Sequence, residues 1–114
     1  MNTRQLTMTT NAAGAYSADI KTPGKIYAVS LVLGDLSTPD LSCTDLLTGE
    51  VILAKTGIAA TTRFQPQVVN NLNSDGSALA SPNYDEPVCL GTMHVAIAGG
   101  GDKKTGTLYV TYGG

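Results

Sequence analysis

No window of eleven or more residues in this 114-residue chain places apolar side chains at the i, i+3, i+4, i+7 spacing that gives a helix a buried face. Thirteen glycines and five prolines instead cut it into short pieces rich in Thr, Val, Ile and Tyr. Short strands joined by turns bury their apolar groups only by stacking one sheet on another or by closing a sheet on itself. The pattern therefore predicts an all-β chain, a single-domain β-sandwich or jelly-roll-like barrel of short antiparallel strands. The length is that of one domain over residues 1–114. A chain of this size buries roughly two-thirds of its unfolded surface, enough for a core without metals or disulfides.

Residues 3–10 and 15–21 alternate, with Leu6 and Met8 in phase in the first piece and Tyr16, Ala18 and Ile20 in the second. Thr22-Pro23-Gly24-Lys25 is a β-turn in which Pro presets a negative φ and Gly takes a positive one. The piece that follows, KIYAVSLVL at 25–33, is the most apolar and is expected to be the central strand. Tyr27, Val29, Leu31 and Leu33 are expected on one face, and Ile26, Ala28, Ser30 and Val32 on the other. Residues 41–47 and 50–55 read as a hairpin around Thr48-Gly49, with a further short strand at 58–62. Residues 63–88 hold three prolines and an Asn/Ser/Asp/Gly cluster. They read as a long irregular excursion with at most a short strand at Val68-Val69. Residues 89–98 and 107–112 are expected to form a closing hairpin across a mobile, glycine-rich loop at 99–106.

Only 14% of the residues are charged, against about 25% in an average domain. Much of the surface must then be Thr, Ser, Asn, Gly and small apolar groups, as suits a protein that works packed against another. Net charge is −2, and seven Lys and Arg are scattered, with Lys103-Lys104 the one adjacent pair. Phosphate binding draws on clustered cations, so no nucleic-acid partner is expected. No stretch approaches the ~20 apolar residues of a membrane span, so no membrane partner is expected either. The start lacks the apolar core of a signal peptide, which points to synthesis in the cytoplasm. There Cys43 and Cys89 are expected as buried thiols rather than a disulfide.

Chemistry-bearing constellations are thin. His94 is the single histidine and sits in an apolar strand between Met93 and Val95. A catalytic triad or a metal centre needs partners for it that the spacing does not supply. Asn71 to Gly76 imitates the first half of a calcium loop. It lacks the leading Asp, and Pro82 stands where the closing Glu belongs. The 99–106 loop holds the ingredients of a phosphate loop in the wrong order and leads into a strand. Asp35, Asp40 and Asp45 lie around one loop-strand junction, yet no pair of carboxylates can be assigned as acid and base. No catalytic residue, cofactor or metal is expected.

Taken in order, these features resemble the small head decoration, or cement, proteins of tailed bacteriophages. The likeness is carried by the threonine-rich start TRQLTMTT, the strand TPGKIYAVSLVLGD after its PGK turn, and the hairpin CTDLLTGEVILAKTG. It continues through the excursion QPQVVNNLNSDGSALASPNYDEPVCLG and the glycine-loop end MHVAIAGGGDKKTGTLYVTYGG. The resemblance implies a structural role on the outside of a virion, bound to the major capsid protein and bridging capsomers, as a homodimer or homotrimer. A neck, tail or head-fibre-base protein, or a carbohydrate-binding β-sandwich module, is the alternative. The segments least accounted for by a core are 1–10, a possible extended arm, and 63–88. Leu6, Met8, Phe64 and Tyr84 are accordingly the expected partner-binding residues.

Overall fold

The computed structural model describes the backbone of residues 1–72 and 78–113, and the side chains of 1–67 and 85–113. Eleven strands and no helix are found there: β1 (Asn2–Thr9), β2 (Tyr16–Lys21), β3 (Gly24–Val32), β4 (Asp40–Asp45), β5 (Val51–Lys55), β6 (Thr62–Phe64), β7 (Val68–Leu72), β8 (Ala78–Asp85), β9 (Val88–Cys89), β10 (Thr92–Ala98) and β11 (Thr105–Gly113). One sheet runs β1-β11-β3-β6, with β9 also paired to β3. The second runs β2-β10-β4-β5, and β7 and β8 form a ribbon that joins neither. All pairings are antiparallel, and the two sheets enclose one apolar core. The chain is a β-sandwich, as the strand-turn periodicity predicts.

The order of pairing is nested. β1 pairs with β11, β2 with β10, β3 with β6, and β4 with its immediate neighbour β5. This is a double ribbon, first strand against last, rolled so that its rungs fall alternately in the two sheets; the sandwich is a jelly roll. The closing hairpin expected from 89–98 and 107–112 is therefore absent. β10 and β11 lie in different sheets, and residues 99–104 carry the chain from one to the other. Nor is that crossing loose. Thr10 Oγ1 donates to Gly101 O (2.6 Å), Gly100 N donates to Gly14 O (2.9 Å) and Ser37 N to Gly100 O (3.1 Å). A Cβ on Gly14 would sit 2.9 Å from the Gly101 nitrogen, so that approach requires glycine. The Thr22-Pro23-Gly24 turn is likewise a corner between sheets, with Gly24 at φ +104° against the Gly113 carbonyl.

Met8, Ile26, Val29, Leu31, Leu108 and Val110 from the first sheet meet Leu41, Cys43, Met93, Val95 and Ile97 from the second, all buried. β3 is central, but its faces are not those that simple alternation predicts. Ala28 pairs with Thr111 and Ile26 with Tyr112, which leaves Tyr27 as an extra residue in a β-bulge. The bulge shifts the phase, so Ile26 rather than Tyr27 joins Val29 and Leu31 in the core. A second irregularity, opposite Cys43 and Thr44, sends both Ile52 and Leu53 inward.

Two further expectations are corrected. Residues 1–10 are not a free arm: β1 pairs with β11 in unbroken register from Asn2↔Tyr112 to Thr9↔Thr105. Residues 63–88 are not an irregular excursion, since they hold the end of β6, the β7–β8 ribbon and the start of β9. β6 and β9 both run antiparallel to β3, ending and resuming opposite Val29 and Lys25. They are two halves of one edge strand, and residues 65–87 are an insertion where three residues would complete the pairing.

Candidate protein-binding surface

In β4 the inward phase that buries Leu41 and Cys43 continues to Asp45, a carboxylate only 1% exposed. Burying a charged group this completely is costly unless hydrogen bonds replace its water. Asp45 Oδ1 accepts from Leu47 N (3.0 Å) and Oδ2 from Leu90 N (3.1 Å). The same turn is closed by Gly49 N donating to Asp45 O and by Asp45 N donating to Glu50 O, both at 2.8 Å. Leu46 N donates to Thr92 O (3.0 Å), and Thr22 N to Gly91 O (2.9 Å). The β4–β5 turn, the β9–β10 connection and the β2–β3 corner are thus fastened together at one end of the sandwich.

What this brace holds in place is apolar and exposed. Leu46 is 52% exposed, Leu47 75% and Leu90 58%. Leu46, Leu47, Leu90, Gly91 and Thr92 line an open cleft of about 300 Å³. Among the described residues, the other exposed large hydrophobic side chains are Met1, Val32, Val51 and Val88. Two adjacent exposed leucines in a turn add nothing to the core, and the buried carboxylate that braces the turn holds their backbone in place. Contiguous exposed apolar patches on folded proteins mark interaction sites.

The residues expected to bind a partner are placed elsewhere. Met8 is fully buried, because β1 belongs to the chain's own sheet, and it is not a surface group. Leu6 and Phe64 are partly buried and pack against the core, Phe64 from its position opposite Val29 in β6. The side chain of Tyr84 lies outside the described residues, as does most of the calcium-loop-like segment. The leucine end was missed because Leu46 and Leu47 were read as strand; the chain leaves β4 at Asp45. The available signal was Asp45 itself, a carboxylate in the inward phase of its strand.

The remaining polar groups do structural work. Asp40 Oδ1 accepts from Gly57 N (2.8 Å) and Asp35 Oδ1 from Thr105 N, so the acidic cluster caps backbone amides. His94 Nδ1 lies 2.6 Å from Asp19 Oδ1 across the β2–β10 pair, both side chains substantially exposed on the outer face of their sheet. No nucleophile or oxyanion donor joins that pair among the described residues, and no group of three or more His, Cys, Asp or Glu is placed to hold a metal. Burial pushes the Cys43 thiol up to about 12, far from a reactive thiolate. No described helix is long and apolar enough to cross a membrane. The chain matches none of the family models, curated proteins or solved structures with which it was compared.

Proposed function

We propose that this chain is a structural protein that acts by binding protein surfaces, and specifically a decoration protein that clasps the outer face of a virion's major capsid protein and bridges neighbouring capsomers. The observation that carries the reading is the leucine end: exposed apolar groups in a turn braced by a buried Asp45 that accepts two backbone N–H groups. Preorganisation of this kind lowers the ordering cost of association. The inserted β7–β8 ribbon supports the same reading, because it adds nothing to either sheet. A chain with two separate contact regions can tie subunits together, and many modest contacts on one shell sum through effective concentration. The low charge and the resemblance in sequence order agree with that role.

The test is stoichiometry. Mass spectrometry of purified particles should find this chain in hundreds of copies, in simple ratio to the capsid protein, and the purified protein should co-sediment with undecorated particles. A handful of copies per particle, or none, overturns the reading.

A further inference from the structure

The leucine end has an arrangement of charge that selects one kind of partner. Along the second sheet the strand order is β2-β10-β4-β5. At the leucine end this order sets Lys21 on β2, then Thr92 on β10 opposite it, then Leu46 bonded to Thr92, and last Glu50 bonded to Asp45 at the start of β5. Lys21 and Glu50 are both exposed. An exposed cation therefore stands at one edge and an exposed acid at the other, about 14 Å apart at the usual strand spacing, with the leucines between.

We infer that this end is a two-fold interface between two copies of the chain, an inference that rests on the reading of the leucine end as a binding surface. A dyad lying in the contact plane, normal to the sheets and passing between β10 and β4, reverses the order of strands in the second copy. It sets Lys21 of each copy against Glu50 of the other and stacks leucine on leucine at the centre. An isologous contact demands this self-complementarity: where one residue of the first copy meets a second residue of its partner, the second meets the first in return. A uniformly acidic or basic partner would match one edge and repel the other. The exposed leucines of the cleft, Leu46, Leu47 and Leu90, supply the apolar centre that such a contact needs.

The experiment is sedimentation equilibrium on the full chain and on Leu47→Asp, Lys21→Glu, Glu50→Lys and the Lys21→Glu, Glu50→Lys double variant. Circular dichroism and melting serve as fold controls, since all three positions are exposed. The parent is expected at twice its 11.7 kDa in the tens-of-micromolar range. Leu47→Asp should be monomeric. Each single reversal should raise the dimer Kd about tenfold, because symmetry places two like-charged pairs in the contact, and the double reversal should return it to within about threefold of the parent. Rescue by the double reversal is specific to a copy of the same chain; a different protein could not supply it. A parent that stays monomeric at about 200 µM, a trimer, a dimeric Leu47→Asp or a failed rescue overturns the inference. Particle binding by a monomeric parent would overturn this interface alone, whereas a rescued dimer that is absent from particles would overturn the virion role and leave the interface standing.

Discussion

At the scale of single residues, Asp45 and Cys43 occupy successive inward positions of β4 and make opposite demands. Asp45 satisfies its burial by taking two backbone N–H groups. In Asp45→Asn the amide group would turn two hydrogens toward one of those N–H groups. Removing one partner of a buried, charge-assisted hydrogen bond costs about 2–3 kcal/mol. The expected result is a loss of that size in urea unfolding, with faster hydrogen exchange at Leu47 and Leu90; an unchanged midpoint would mean the brace is not structural. Cys43 satisfies its burial by staying protonated. Its thiol is raised from 9.0 to about 12 in the folded chain by desolvation. Its contribution to stability is therefore whole below pH 9 and is lost between 9 and 12, because the unfolded state releases the proton first. The folded protein should resist alkylation at Cys43 at pH 8. Its stability should also fall more steeply above pH 9 than that of Cys43→Ala. Parallel pH curves would show that the thiol ionises freely in the native state.

At the scale of elements, local signals were legible wherever one residue type forces a backbone shape. Gly49 (φ +75°) closes the hairpin expected around Thr48-Gly49, and Gly24 takes the positive φ that the Pro-Gly turn requires. Phase was less legible, because a bulge leaves no mark in an alternating sequence. Nothing in KIYAVSLVL says that Tyr27 is the extra residue and Ile26 the buried one. Composition misled at 63–88, where Pro82 argued against a strand. Both strands of a two-stranded ribbon are edges, and an edge tolerates a residue with no N–H to give. The split edge strand leads to a deletion. Ile26 N already donates to Pro87 O at 2.9 Å, so Pro87 sits where the last of three bridging residues belongs. Replacing 66–86 with a single glycine should rejoin β6 to β9 opposite Ile26, Tyr27 and Ala28. The shortened chain is expected to fold with the parent's near-ultraviolet spectrum and a midpoint within about 1–2 kcal/mol of it, as loop shortening at a surface insertion is cheap. Failure to fold would show that the ribbon is part of the core after all.

At the scale of the whole molecule, the sheet class followed from the absence of helical spacing, but the pairing did not. Adjacent strands in sequence are the first guess as partners, and that rule led to a β10–β11 hairpin. In a jelly roll it holds only for the innermost pair, here β4 and β5; each further rung joins strands more distant along the chain, out to β1 with β11. The same nesting sets the order of folding. Closing β4 on β5 fixes a few turn residues, whereas closing β1 on β11 first would cost the loop entropy of nearly the whole chain. Once the inner rungs exist, each outer rung closes a short loop, so the ribbon zips outward and β1 docks last. Leu53→Ala in β5 and Met8→Ala in β1 both remove buried side chains and should each cost about 2–4 kcal/mol at equilibrium, large enough to partition reliably. Leu53→Ala is expected to act mainly by slowing folding, and Met8→Ala mainly by speeding unfolding, with φ above 0.5 for the first and below 0.2 for the second. Stopped-flow chevrons on the two variants measure both. A φ for Met8→Ala equal to or greater than that for Leu53→Ala would mean that the outermost rung is made in the transition state, and that the chain does not fold from the inside of its roll outward.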